Sequence, residues 1–537
     1  MPRITVWAAS LFSLFCLGAS APRTVDRQGP IPGAPQLGRV NFPTSCAAGA
    51  QPSVETGVAL LHSFQYQQAD QSFSEAAKRD PKCALAYWGK AMTHYEQLWE
   101  FPSPKSLKQG AQEIKQAQAA GASTERERGY IDSAVAFYLA DEKLSETQRV
   151  QTFSAALAAL HKRSPDDVNA AAFYALSLLA LAEQQEVDAQ TNRKAAIAIL
   201  EPLCQSAPNN PGPAHYMIHA TDTSEFAAQG LDAARAYSKI APDSSHALHM
   251  PSHIFVRLGL WQESISSNIA AAASAAKATQ EHRGEPHYQF HALDFLNYSY
   301  LQSGQESKAR QMVKDLENVP GAGRRSVAEH QAWLAARNVF ELHRWKEAAE
   351  QPIPHVRPDS QESTYWVRAI GAARSGNPSA AHHDLQKYVE FSADEKSKSH
   401  HANKASDKSV GQLEAEAWIL FAEGKSDGAV KMLRSAADRE DADGADSLAM
   451  PAREMLADLL LELKRPPEAL TEYQAALKNS PNRFDALYGA AHAAQIAGDS
   501  AAASAYFTKL TEISSATADR AELSEAKSYL ARASKGK

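Results

Sequence analysis

From about residue 53 to residue 535 the chain falls into pairs of amphipathic helical segments, each closed by a proline or a polar turn. Ala469, Tyr473, Ala476 and Pro481 are followed by Leu487, Gly489, Ala491, Gly498, Ala503 and Phe507. The same order opens the chain's helical part, as Gly57, Ala69, Phe73, Ala76 and Pro81, and continues through residues 84–91. Shorter versions run through 259–271, 304–309, 345–349, 376–381 and 424–429. Alanine or glycine lets two antiparallel helices approach closely, while the aromatic fills the wedge between successive pairs, so each pair needs its neighbours. The spacing is lost over 100–150, where Thr124 and Glu127 still make a capping box. Polar stretches at 393–409 and 440–447 read as loops, the first separating an array at 53–392 from one at 410–535.

This set of small, aromatic and proline positions resembles the tetratricopeptide repeat. The resemblance implies an all-α fold of helix-turn-helix repeats stacked into a right-handed superhelical solenoid, the first helix of each pair lining a concave surface that binds a protein or peptide. Residues 41–46, 86–89 and 246–253 look like a bacterial exported subgroup of that family, which implies compartment as well as fold.

Composition agrees with an array. The 26 glycines and 27 prolines mostly punctuate runs of good helix formers, and strand-like alternation of Val, Ile and Thr is scarce. A net charge of −7 gives no general attraction to phosphate backbones or anionic lipid, so nucleic acid is not expected as a partner. The first 21 residues read as a signal peptide: Arg3, an apolar stretch from Ile4 to Leu17, then small residues from Gly18 to Ala21. Periplasmic or secreted location follows, with no stable membrane insertion after cleavage. Residues 22–52 form a Pro/Gly-rich linker. The mature chain keeps Cys46, Cys83 and Cys204; the first two bracket the first repeat and either bridge or pack as small apolar residues, and Cys204 reads as core.

The departure from an ordinary scaffold is a ladder of histidines. Three stretches carry it: His215 and His219 with Asp222; His246, His249 and His253; His287 and His291 with Asp294. His215 and His249 are 34 residues apart, as are His219 and His253, which is the tetratricopeptide period. Within a stretch, histidines four apart share a helix face. Two imidazoles and a carboxylate meet the ligand chemistry of a divalent transition metal, zinc or copper, and six histidines suffice for two ions. Tyr216, Arg257, Tyr288 and Tyr298 are expected beside the ladder as groove residues. Pro251 bends or starts its helix and so decides where His249 and His253 point.

The alternatives are histidines that satisfy buried hydrogen bonds, or that line a groove for an organic ligand. A zinc protease of the His-Glu-x-x-His type is excluded, because Tyr216, Met250 and Tyr288 follow the relevant histidines where a glutamate is needed. No nucleophilic triad, phosphate loop or dinucleotide fingerprint can be read from spacing. The expectation is a binding scaffold with a histidine-lined groove, and a metal-dependent enzyme is the alternative. His62, His94, His161, His330 and His343 read as packing or surface residues. The pairs His382-His383 and His400-His401 chelate only from a loop. Trp88, Trp99, Trp261, Trp333, Trp345 and Trp366 read as repeat packing rather than a ligand cage.

Overall fold

The computed structural model describes residues 35–98, 101–184, 188–398, 408–443 and 448–535. The signal peptide, Trp99 and the His400-His401 pair lie outside them. Among the described residues every regular element is helical, and successive helices pack as antiparallel pairs from Gln51–His62 to Ala521–Lys535. The helix Pro378–Lys398 carries through the first part of the expected 393–409 loop. The Thr124 capping box forms in full, and Glu127 also accepts from the backbone and hydroxyl of Ser45, which ties down the N-terminal segment. Cys46 and Cys83 are bridged, and Cys204 is half-buried.

The repeat grammar works as the residue sizes dictate. Phe73 is fully buried between the helices Gln51–His62 and Ala84–Met92, under Gly57 and Gly89. A Cβ on Gly89 would lie 2.3 Å from that ring, and one on Gly489 would lie 2.2 Å from Tyr473. Gly89→Ala gains at most about 1 kcal/mol of helix propensity but overpacks the wedge at a cost of about 1–3 kcal/mol. We expect a lower urea midpoint for Gly89→Ala and an unchanged or higher one for Gly428→Ala, whose Cβ meets only Leu420 at 3.5 Å.

Both ends of the array return to its middle. On the N-terminal side, Arg39 N–H donates to the Asn209 carbonyl (2.7 Å) and Tyr288 Oη to the Phe64 carbonyl (3.3 Å). The C-terminal repeats do the same from the other side: Trp261 Nε1 donates to the Asn482 carbonyl (2.8 Å), and Ser515 and Asp519 N–H donate to Ser303 and Gly304 carbonyls. Arg483 lies at the heart of this closure, fully buried with Glu341 and Glu454. Both ends of the array therefore pack against its middle, and the histidines border an open cavity of about 1030 Å³.

Candidate metal centre

Five helices carry the histidines that matter. His62 ends Gln51–His62; His215 and His219 sit on Pro211–Thr221; His246 and His249 on Ser245–His249; His253 on Pro251–Arg257; His291 on Pro286–Gln302. Pro251 starts its helix, and His246 and His249, three residues apart on the preceding helix, meet different neighbours. Two trios result, His215/His219/His246 and His249/His253/His291, each with its donor nitrogens within 4.8 Å of one another.

A phenylalanine anchors each trio. The Phe64 ring lies 4.4, 5.4 and 5.7 Å from His215, His219 and His246. Phe295 lies 4.8, 4.6 and 5.2 Å from His249, His253 and His291. Phe64 holds a left-handed backbone (φ +53°) at a turn where glycine is the easier residue, so its ring rather than its backbone accounts for its place.

Hydrogen bonding on the outer nitrogens sets which inner nitrogens are bare. His253 Nδ1 is 2.8 Å from Asp222 Oδ2, and a carboxylate only accepts, so Nδ1 carries the proton. His249 Nδ1 is 2.7 Å from Asn268 Oδ1, and the Asn268 amide is fixed by its own donation to the Ser264 carbonyl. With one proton on each ring, held at Nδ1, both Nε2 atoms present lone pairs, and they face each other at 3.1 Å. In the other trio, His215 Nδ1 donates to the His62 carbonyl (2.6 Å), and its bare Nε2 meets His219 Nε2 at 3.1 Å and His246 Nε2 at 3.0 Å.

Burial favours the neutral form of His215, His219, His246, His249 and His291. It lowers His219 to about 3 and His291 to about 4, and holds His215, His246 and His249 well below the ordinary imidazole range, with neighbouring rings adding to the effect. Burial pushes Asp222 up, but His253 and Arg257 outweigh it and hold the carboxylate well below its usual range. Neutral imidazoles with inward lone pairs and outward protons are the form a metal takes. An ion about 2.0–2.1 Å from each of two nitrogens in tetrahedral array sets them about 3.4 Å apart. The His215–His219, His215–His246 and His249–His253 separations need to open by only a few tenths of an ångström, and the remaining pairs lie within 4.8 Å.

The remaining expected residues take other places. Asp222 reaches no open face of a trio; it accepts from His253 and from Arg257 Nε at 2.9 Å. Asp294, also expected as a ligand, accepts from Trp333 Nε1 (2.9 Å) and Arg337 Nη1 (2.6 Å). His287 is half-exposed beside Glu285 and stays out of both trios while lining the cavity with Tyr288. Tyr216 is buried against His62, its hydroxyl 2.9 Å from Nδ1. Tyr298 turns away to the closure, where Arg483 donates to its hydroxyl. Sequence reasoning missed the His62 carbonyl, Asn268, Phe64 and Phe295.

Residues 414–484 and 454–518 match the tetratricopeptide repeat family model, so the C-terminal repeats carry the signature most clearly. No curated protein matches the chain. Among solved structures it is similar to a tetratricopeptide repeat protein from Parabacteroides merdae, at 14% identity and a TM-score of 0.31, over 53% of this chain and 97% of that one. It is also similar to a dimer of human IFIT1 with m7Gppp-AAAA, at 12% identity and a TM-score of 0.34, over 88% and 91% of the two chains. Among the described residues no helix is long and apolar enough to cross a membrane.

Proposed function

We propose that this chain is an exported tetratricopeptide-type scaffold that holds transition-metal ions, zinc or copper, in two three-histidine sites at its centre and engages its ligand through them. One observation carries the reading: His249 and His253 aim bare Nε2 lone pairs at each other across 3.1 Å, each fixed from behind by an acceptor. Two lone pairs at that distance repel unless a cation stands between them, and burial disfavours a proton on His249. All-imidazole donor sets suit zinc and copper. The Cys46–Cys83 bridge supports an oxidising compartment, in keeping with a periplasmic or secreted location. A protein or peptide partner fits the repeat architecture.

The test is the metal content of the mature chain purified without a histidine tag, before and after reconstitution with zinc or copper. Two equivalents per chain are expected, falling to one in His249→Ala/His253→Ala with the helical content unchanged. No metal retained under either ion overturns the reading. A metal-dependent enzyme is the second reading: an ion held by three protein ligands would keep a coordination position free, and both trios border the cavity. Turnover that tracks metal content separates it from a binding scaffold.

A further inference from the structure

The cavity in front of the two trios has a chemistry of its own. His219 and His246 of one trio and His253 and His291 of the other all line it, so both sites open onto one space. The wall facing them includes Phe290, Trp333 and Trp366. Trp366 is fixed by its indole bond to the Gly411 carbonyl (3.0 Å) and by packing on Phe340. Trp333 is held by its bond to Asp294 and has the Arg337 guanidinium 5.0 Å from its ring centroid, yet it remains 41% exposed. A rigid, exposed indole on a cavity wall is apolar surface that a ligand can cover.

Charge points to the rest of the ligand. Each trio offers three neutral donors, so a divalent ion held there keeps its charge at the open position. Four carboxylates line the cavity, Glu96, Asp294, Glu329 and Glu362. Asp294 is engaged by Arg337, Glu329 by Arg325 (3.4 Å) and Arg357 (3.3 Å), and Glu362 accepts from Ser392, so the metal is the cation left to draw an anionic ligand. A ligand that meets both demands presents anionic oxygen to the metal and a flat apolar ring to the indoles.

Resting on the metal reading above, we propose that the cavity takes an aromatic oxyanion of the phenol or catechol class, oxygen on the metal and ring against the tryptophan wall. The experiment titrates zinc-loaded protein with 4-nitrocatechol, whose visible absorption shifts when its oxygens coordinate, and then displaces it with azide, which occupies the open position without a ring. Zinc is redox-inert, so binding is read without turnover. Trp333→Ala is expected to weaken 4-nitrocatechol about tenfold while azide affinity and zinc content stay at their starting values; Trp333→Phe recovers most of the loss. Failure to load zinc or copper overturns the metal reading and this one with it. Normal loading and azide binding with no 4-nitrocatechol binding, or with an affinity indifferent to Trp333, overturns the aromatic ligand alone.

Discussion

Replacing Arg483 with methionine should cost about 3–5 kcal/mol of folding free energy, because it strands the buried Glu341 carboxylate and leaves the buried Glu454 carboxyl without its donor. The guanidinium donates through Nε and Nη2 to Glu454 (2.7 and 3.2 Å) and through Nη2 to Glu341 (2.9 Å), and all three side chains are almost wholly out of solvent. The exposed pair Arg465–Glu468 is the comparison: Arg465→Met should cost less than about 1 kcal/mol, since water already screens it. Arg483→Lys keeps the charge but loses the fork, and should fall between the two. The two carboxylates are not equivalent. Burial pushes Glu454 up to about 8 in spite of Arg483. A folded-state value above the ordinary 4.5 means that its contribution is fully present below about pH 4.5 and is lost as pH rises through about 8. Glu454→Gln should therefore be close to neutral at about pH 6 and more stable than the parent at about pH 9. Urea midpoints at the two pH values check both claims, and a Glu454→Gln penalty as large as that of Arg483→Met at both would show that Glu454 is ionised throughout. The closure joins the C-terminal repeats to the middle of the array, so Arg483→Met should raise protease sensitivity in the C-terminal repeats first.

Some of this was legible in the chain and some was not, for reasons of range. The wedge of Phe73 between Gly57 and Gly89, and of Tyr473 against Gly489, follows from local spacing, because a helix pair is built from residues within about 40 positions of one another. The histidine period told which positions are equivalent on stacked helices, but not how those helices are rotated. Spacing grouped His215 with His219 and offered Asp222 as their ligand; in three dimensions His246 completes that trio and Asp222 serves His253 instead. His246 and His249, on one short helix, join different clusters because the helices Pro211–Thr221 and Pro286–Gln302 bring the remaining rings to different sides of it. His62 gave no local sign of its role, because its carbonyl reaches His215 only when the first repeat returns to the middle of the array. Tyr298 continues the apparent stripe of His287, His291 and Asp294, yet the closure claims it for Arg483. Partners separated by 150 residues or more are set by how the solenoid winds, and single-sequence periodicity carries no record of that.

Asp222→Asn should damage the His249/His253/His291 site at least as much as Asp222→Ala, although asparagine is the closer match in shape. In the parent, one carboxylate oxygen accepts from His253 Nδ1 and the other from Arg257 Nε. An asparagine amide has one acceptor and one donor to place there. Arg257 can only donate, whereas a neutral imidazole donates or accepts according to its tautomer. The amide oxygen therefore turns to Arg257 and the NH2 group to His253, which obliges Nδ1 to accept and moves the ring proton onto Nε2. That proton occupies the lone pair facing His249, so the metal must displace it before it can bind. Removing the carboxylate with alanine frees the ring but leaves its tautomer unset, a loss of about 10–100-fold in metal affinity. The asparagine variant should equal or exceed that loss, measured by competition with a chromophoric chelator, while the His215/His219/His246 site keeps its affinity. Adding Arg257→Leu to Asp222→Asn releases the amide to rotate its oxygen toward His253, and should recover part of the binding that Asp222→Asn alone destroys. If Asp222→Asn binds as tightly as the parent, the tautomer is not set by Asp222, and the inward lone pair of His253 has to be explained by the metal itself.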